Sequence, residues 1–139
     1  MTMPNHEILE TTFYVRFAET DLMGIVHHSA YIVWMEEGRS DYMRRIGFTF
    51  DQWEKVGIAF AVSEVNVRYH APAHYGERVT VQTWIESVRS RQIVFRYEIV
   101  NADSRQRLVT GTVKLITVDR QGNVMVMPDS LQAVLSSKD

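Results

Sequence analysis

The chain has 139 residues and a mass of 16.2 kDa, which is the size of one compact domain. Its hydrophobic fraction of 45% and charged fraction of 23% exclude a mainly disordered, collagen-like or solenoid protein. Because 15 Lys and Arg residues stand against 17 Asp and Glu residues, the formal charge is −2, without the positive excess that a nucleic-acid binder carries.

The first two predicted elements are a strand and a long helix. The strand covers residues 11–18, where apolar and polar side chains alternate. The helix runs from residue 29 to 46, and its apolar stripe recurs at spacings of three and four: Tyr31, Trp34, Met35, Gly38, Tyr42 and Ile46. Gly47 can close this helix in the left-handed conformation. Because glycine costs helix propensity, we expect another segment to approach the backbone closely at Gly38.

The remainder of the chain is predicted to consist mainly of strands. A capping-box pattern at residues 49–52, with Gly57 as its end, predicts a short second helix. Four runs with a period of two then predict strands over residues 60–69, 78–88, 92–100 and 108–119. In the first of these strands, the residues predicted to share one face are Ala61, Val65, Val67 and Tyr69. A last short strand is predicted at residues 124–127.

This order of elements predicts an α+β fold with a single domain over residues 1–139. The short connections between strands favour an antiparallel meander over a parallel sheet. Since only one long helix is available to cover the sheet, we expect the sheet to curl around it. The opposite face of the sheet still carries aromatic and β-branched residues, so we expect that face to meet a second copy of the chain.

The segment between the first strand and the long helix, residues 19–31, holds the densest group of chemically active side chains. Two carboxylates, a glycine and two histidines precede a helix N-terminus, where free amides and the helix dipole can hold an anion. A carbonyl oxygen aimed at these amides would be stabilised as a tetrahedral intermediate forms, with Asp21 as general base or nucleophile. Asp21 is also compatible with a turn or capping role, and His27 and His28 with exposed surface positions.

Residues 17–28, FAETDLMGIVHH, together with Tyr31 and residues 36–39, resemble the signature of the 4-hydroxybenzoyl-CoA thioesterase family of hotdog-fold proteins. They are similar in particular to the broad acyl-CoA thioester hydrolases of bacteria. Residues 67–73 and 75–77 agree with the same pattern, so that the resemblance spans residues 10–130. It implies a hotdog fold, in which an antiparallel sheet wraps around one long central helix, and hydrolysis of an acyl-CoA thioester.

The resemblance also implies roles for residues of the loop. Asp21 corresponds to the catalytic carboxylate, and the backbone N–H of His28 to the oxyanion donor, with Gly24 and Ile25 in the turn beside it. The side chain of His28 matches a histidine of the bacterial acyl-CoA subgroup, where the benzoyl-CoA type carries an aromatic residue. 4-Hydroxybenzoyl-CoA itself is therefore not the expected substrate. Whether Asp21 attacks the thioester or activates a water molecule stays open at this point.

Substrate-binding residues are expected at the mouth of the site and in an acyl pocket. Cationic side chains suit the phosphates of CoA. The candidates are the turn residues Arg89, Ser90 and Arg91, followed by Arg68 and His70. A solvated hairpin turn is the alternative interpretation of residues 89–91. Acyl selectivity is expected from Tyr31 with Trp34 and Met35, and an ordinary core position is the alternative for the last two.

Neither a metal nor a separate cofactor is expected, since CoA is part of the substrate. His70 and His74 have the spacing of a helical metal-binding pair, but Pro72 between them argues against a helix. The partners expected are an acyl-CoA and further copies of the chain, as a homodimer or homotetramer, and no nucleic acid. The acyl group and the carrier, CoA or acyl carrier protein, stay open.

Cellular location is judged from three features of the sequence. The chain has no cysteine, which excludes disulfides and fits the reducing cytoplasm. No apolar run approaches the length of about 20 residues that spans a bilayer. Residues 1–7 lack the basic and apolar stretches of a secretory signal, so we expect a cytoplasmic protein.

Two other functions remain as alternatives to hydrolysis. A hotdog dehydratase or hydratase acting on acyl thioesters would carry its acid on the central helix, whereas here Asp21 precedes that helix. A non-catalytic acyl-CoA-binding module would keep the phosphate and acyl contacts but would not need Asp21. Release of free thiol from a panel of acyl-CoAs would separate hydrolysis from both.

Overall fold

The computed structural model describes residues 8–48 and 55–136. Its elements are, in chain order, β1 (Leu9–Tyr14), a 3-10 turn (Phe17–Glu19), α1 (Ala30–Arg45), β2 (Ala59–Tyr69), β3 (Arg78–Arg89), β4 (Gln92–Asn101), β5 (Arg107–Val118) and α2 (Asp129–Ser136). The five strands form one antiparallel sheet in the order β1-β3-β4-β5-β2, and α1 packs against one of its faces. The predicted α+β class is therefore confirmed.

The apolar stripe predicted for the long helix is the buried face of α1. Five of its six residues are buried in the core and Ile46 is half-buried. The helix ends as predicted, since Gly47 adopts φ +88° and the amide of Phe48 donates to the carbonyl of Met43 at 2.8 Å. This packing directs the N-terminus of α1 toward the end of the sheet where Tyr69 closes β2.

The strand order differs from the predicted meander at β2. Strands β3, β4 and β5 follow one another through short hairpins, as expected. β2 pairs with β5 rather than with β3, because residues 70–77 carry the chain to the opposite side of the sheet. The prediction of a four-strand meander is wrong at this point, and β1 and β2 are the two edges of the sheet.

A β-bulge in β2 corrects the predicted face of that strand. The register with β5 shifts between Val62 and Glu64, so that Val62 lies opposite Leu115 and Val65 lies opposite Val113. Phe60 and Val62 therefore share the helix-facing side with Val65, Val67 and Tyr69. Ala61, which strict alternation places on that side, faces the other way.

The chain ends also differ from the sequence prediction. β1 stops at Tyr14 where the strand was predicted to continue to residue 18, and the 3-10 turn that follows leaves Phe17 exposed. Val124 forms a single bridge with Val118 where a strand over residues 124–127 was predicted. Helix α2, which the sequence analysis did not predict, buries Leu131 and Leu135. The short helix predicted from residues 49–52 lies outside the described residues.

The face of the sheet opposite α1 is more polar than predicted. Gln82, Glu98, Thr110 and Arg68 occupy one cross-strand row on this face. A concave region of about 550 Å³ is lined there by arginines 68, 96 and 107 and by Trp84. Contact of this face with a second copy stays a prediction. Within residues 8–48 and 55–136, no helix combines the length and the apolar character needed to cross a membrane.

Candidate active site

The loop between β1 and α1 folds into a tight turn around Asp21. The amide of Asp21 donates to the carbonyl of Ile25 at 2.9 Å, and the amide of Gly24 donates to the carbonyl of Asp21 at 3.0 Å. Gly24 has φ +76°, a conformation that favours glycine. The nearest atom to an added Cβ at Gly24 is 4.0 Å away, so the backbone conformation, rather than crowding within the chain, is what requires glycine here.

The carboxylate of Asp21 is held by its own turn and is exposed to solvent. Its Oδ1 accepts hydrogen bonds from the amides of Met23 at 2.8 Å and Ile25 at 3.1 Å. These two backbone hydrogen bonds hold the pKa of Asp21 below its usual value, so the side chain is ionised at neutral pH. Within residues 8–48 and 55–136, no hydrogen bond or ion pair joins Asp21 to another side chain.

Of the three backbone amides predicted at the site, only that of His28 has no acceptor within residues 8–48 and 55–136. The amides of Gly24 and Ile25 donate to Asp21. The amide of Ala30 donates to the carbonyl of His27 at 3.0 Å, and in a trans peptide the N–H of His28 must then point the opposite way, out of the helix. In the described part of the chain the His28 amide has no acceptor, so it can bind a substrate oxygen.

The helix N-terminus lacks the usual side-chain cap. Ser29 precedes α1 in a helical conformation and its hydroxyl makes no capping hydrogen bond. The carbonyl of His28 instead accepts a hydrogen bond at 2.7 Å from the hydroxyl of Tyr69, at the end of β2. The first peptides of α1 are therefore fixed from the sheet, and the positive end of the helix dipole stays open to an anion.

Tyr69 was not assigned a role from the sequence, and Tyr31 has a different role from the one predicted. The side chain of Tyr31 is only 2% exposed, its ring packs against that of Tyr69 at 5.5 Å, and its hydroxyl accepts from the amide of Ala73 at 3.0 Å. Burial raises the pKa of Tyr31. Tyr31 thus packs against the Tyr69 ring from the core side. Trp34 and Met35 are fully buried core residues.

Glu19 fixes the other end of the loop. Its Oε2 accepts hydrogen bonds from Trp34 Nε1 and from Arg16, both at 2.7 Å, and its carbonyl accepts from the amide of His27 at 2.9 Å. Burial raises the pKa of Glu19, but the hydrogen bonds from Arg16 and Trp34 outweigh it and the pKa is lowered overall. The sequence identified this carboxylate without giving it a role, because Trp34 becomes its partner only in the folded chain.

In the described part of the chain, the other predicted binding side chains make no hydrogen bond to the loop. Arg68 is on the face of β2 opposite Tyr69 and lines the concave outer face of the sheet. His70 Nε2 lies 2.9 Å from Thr110 Oγ1, whereas His74 contacts Glu77, so the two histidines do not converge. Among the described residues, no group of three or more His, Asp or Glu side chains is arranged to hold a metal ion.

The turn of Arg89, Ser90 and Arg91 lies at the far end of the sheet. The candidate loop adjoins the start of β3, since Ile25 bridges His74. β3 contains 12 residues, and at about 3.3 Å per residue its two ends are about 35 Å apart. The carbonyls of Ser90 and Arg91 accept hydrogen bonds from residues 127 and 117. Within one chain, this turn cannot reach a ligand carbonyl bound at His28.

The sequence profile of the thioesterase superfamily matches residues 23–107, which begin in the candidate loop and cover all of α1, β2, β3 and β4. The chain belongs to this superfamily. Its thioesterase relatives include YneP of Bacillus subtilis, provisionally named an acyl-CoA thioesterase, with 41% identity over 107 residues, or 77% of each chain. The acyl-CoA thioester hydrolase YbgC of Escherichia coli O6:H1 is 33% identical over 90 residues, which are 65% of this chain and 67% of YbgC.

Solved structures confirm that this thioesterase-superfamily chain has a hotdog fold. The DHNA-CoA thioesterase of Staphylococcus aureus is 34% identical, superposes with a TM-score of 0.80, and is matched over 86% of this chain and 80% of its own. The resemblance noted in the sequence is therefore confirmed at the level of the superfamily.

Proposed function

We propose that the protein is an acyl-CoA thioesterase of the bacterial acyl-CoA subgroup, which hydrolyses an acyl-CoA to a free acid and CoA-SH. The observation that carries this proposal is the free amide of His28 at the N-terminus of α1, in the same loop as the ionised Asp21. The names of the relatives, an acyl-CoA thioester hydrolase and a DHNA-CoA thioesterase, support the same reaction class. The acyl group is left unspecified by these observations.

In the proposed mechanism, the thioester carbonyl oxygen accepts a hydrogen bond from the His28 amide. The tetrahedral oxyanion is stabilised there by the amide and by the dipole of α1. Asp21 either attacks the carbonyl carbon, giving a mixed anhydride that water hydrolyses, or deprotonates the water that attacks it. The side chain of His28, which is exposed, orients the substrate or protonates the departing thiolate.

We also propose that the working form is a homodimer or homotetramer in the cytoplasm. Leu22 is fully exposed and Met23 is 80% exposed at the tip of the loop that holds Asp21, so a single chain leaves the site uncovered. A second copy would shield the site from bulk water, which strengthens electrostatic stabilisation of the oxyanion. The cationic turn at residues 89–91 could contact CoA phosphates only across such an assembly.

The direct test replaces Asp21 with Asn and measures thiol release from a panel of acyl-CoAs with a disulfide dye. Asn keeps an oxygen for the amides of Met23 and Ile25, so the turn should survive while the charge is lost. We expect kcat to fall by about 10² or more with an unchanged melting temperature. A matched control is Asp103→Asn, since Asp103 is an exposed partner of Arg78 in a distant turn. Tight acyl-CoA binding by the wild type without thiol release would contradict hydrolysis.

A second experiment separates the two roles of Asp21. In single-turnover hydrolysis in heavy-oxygen water, the Asp21 carboxylate gains label if the mixed anhydride forms and water attacks its Asp21 carbonyl carbon. Mass spectrometry of the loop peptide detects the label. Label in Asp21 assigns it the nucleophilic role, whereas label in the product acid alone is expected both of a general base and of an anhydride that water opens at the acyl carbon.

A further inference from the structure

A groove between α1 and the edge strand β2 ends in a cavity of about 250 Å³. Its walls are mainly apolar and include Met43, Phe60, Phe95 and Leu115. Three polar side chains of α1 also line it: Glu36, Arg39 and Ser40. The cavity therefore combines the apolar surface that a hydrocarbon chain prefers with one largely buried cation, Arg39, and one largely exposed carboxylate, Glu36.

The positive charge of the Arg39 guanidinium is largely buried but has only a weak anionic partner. The side chain is only 15% exposed, and its hydrogen bond from Nη1, 3.0 Å long, goes to the neutral hydroxyl of Tyr97. Among the described residues, the one carboxylate within 4 Å is Glu36, at 3.9 Å and on a side chain that is 69% exposed. Because a buried charge is stable only when it is paired, Arg39 has capacity for a further anionic partner.

The cavity and the candidate active site lie along the same helix, α1. At about 1.5 Å per residue along α1, Arg39 lies about 16 Å from His28, and its side chain tilts back toward the helix N-terminus. Between them, Ile32 shares the helix face of Glu36 and Arg39, and it is exposed. Opposite this face, Val65 and Tyr69 of β2 are exposed as well. Ile32, Val65 and Tyr69 thus provide apolar surface between the free His28 amide and the cavity, with the exposed side chain of Glu36 beside it.

We propose that the acyl chain of the substrate lies along this groove and that Arg39 selects acyl groups with a carboxylate at their far end. The proposal rests on the thioesterase function above and narrows the substrate class to medium-chain dicarboxylic acids linked to CoA through one carboxyl group. A terminal carboxylate can accept charge-assisted hydrogen bonds from Arg39. A terminal methyl group would leave the guanidinium with Glu36, 3.9 Å away, as its one carboxylate among the described residues.

The test compares pairs of substrates that differ only at the far end of the acyl chain. Octanoyl-, decanoyl- and dodecanoyl-CoA are each measured beside their ω-carboxylated counterparts, with wild type, Arg39→Met and Arg39→Lys. In the wild type, we expect a higher kcat/KM for the carboxylated member of at least one pair. In Arg39→Met, that preference should fall by about tenfold or more. Tenfold is the smallest effect expected when a hydrogen bond to a charged group is lost. Arg39→Lys should keep part of it.

Arg44→Met is the matched control, because Arg44 is an exposed arginine of the same helix, 3.6 Å from Glu37 and Asp41. This variant should keep the wild-type preference. An equal loss in Arg44→Met would overturn the proposal, since it would indicate a general effect of net charge. A wild type that prefers the methyl-terminated member of every pair would overturn it too, even though hydrolysis itself would then uphold the thioesterase function.

A binding measurement gives a result even if Arg39→Met does not fold or no thioester is cleaved. Free dodecanedioate should raise the melting temperature of the wild-type protein more than dodecanoate does. The difference should be smaller in Arg39→Lys, which keeps the charge but loses the planar fork. Equal shifts from the two acids would overturn the role of Arg39, whereas an absence of thiol release from every acyl-CoA would overturn only the thioesterase function.

Discussion

Gly38 of α1 lies against Thr83 of β3 so closely that a Cβ atom at position 38 would stand 2.4 Å from Thr83 Oγ1. The same Cβ would be 2.9 Å from Cγ1 of Val81. The hydroxyl of Thr83 is buried and, among the described residues, has no hydrogen-bond partner. The residue of α1 with the lowest helix propensity therefore sets the distance between helix and sheet, as the sequence pattern predicted.

Gly38→Ala should destabilise the protein by about 1–3 kcal/mol, because α1 must move away from β3 to admit the methyl group. In an exposed helix position the same change would stabilise by about 1 kcal/mol, so the sign distinguishes packing from propensity. Urea unfolding measures the difference. Glu37→Ala, an exposed neighbour, should stay within about 0.5 kcal/mol of wild type. A Gly38→Ala protein as stable as wild type would contradict the close approach.

Periodicity predicted most of this fold because it reports which face of an element is buried. The stripe of α1 and the alternation of β3 were read correctly for this reason. A bulge adds one residue without changing composition, so the switch of face at Val62 left no signal in the pattern. The pairing of β2 with β5 joins segments that are distant in sequence, so local periodicity does not predict it either. The short helix α2 adds two buried leucines, too few for a clear period.

The candidate site was only partly predictable. Asp21 and the helix start could be found because they adjoin each other in sequence. The amide of Ile25 is occupied by the Asp21 side chain and that of Gly24 by the Asp21 carbonyl, and residue types alone specify neither bond. Tyr69 is separated from His28 by some 40 residues, and its hydroxyl meets the helix only after β2 has paired with β5. The one sequence signal for a role of Tyr69 was its place, with Val65 and Val67, on the predicted buried face of β2.

Glu19→Gln should destabilise the protein by about 1 kcal/mol at neutral pH, because the hydrogen bonds from Arg16 and Trp34 lose their charged acceptor. The effect should depend on pH. Since the pKa of Glu19 is lower in the folded state than its ordinary value of 4.5, its contribution is present above pH 4.5 and is lost as pH falls through the folded value. Unfolding free energies measured from pH 7 to pH 3 should therefore converge for wild type and Glu19→Gln.

A matched control for this titration is Glu86→Gln. Glu86 pairs with Arg96 across two exposed positions of neighbouring strands, where an ion pair contributes little. Its stability difference from wild type should be small throughout the pH range. A Glu19→Gln difference that stayed constant down to pH 3 would show that the charge of Glu19 is not what stabilises the loop.

Tyr69→Phe should lower kcat by about tenfold with little change in KM, a smaller loss than removal of an oxyanion donor itself. When Tyr69 loses its hydroxyl, the carbonyl of His28 loses a hydrogen bond. The first peptides of α1 can then rotate more freely. The ring still packs against Tyr31, so the melting temperature should change little. Steady-state hydrolysis and a thermal melt measure the two quantities on the same preparation.

Tyr14→Phe provides the comparison for Tyr69→Phe. Tyr14 is exposed at the end of β1, on the face of the sheet that points away from α1. Loss of its hydroxyl should leave kcat unchanged. If Tyr69→Phe retained the wild-type kcat, or raised KM alone, the hydroxyl would not position the helix N-terminus for the chemical step.

The acid limb of kcat/KM should lie below pH 4 if the ionised form of Asp21 carries the reaction. Hydrogen bonds from the amides of Ile25 and Met23 lower its pKa from the ordinary value of 3.8, so protonation requires a more acidic solution. In Asp21→Glu, the longer side chain loses those two bonds, and the limb should rise toward the ordinary glutamate pKa of 4.5 while kcat falls. Thiol release measured from pH 3.5 to pH 8 should locate the limb of Asp21→Glu and show that wild type keeps its activity down to about pH 4, with circular dichroism at each pH as the check that the chain remains folded. A wild-type limb near pH 6 would assign the titrating group to a histidine instead.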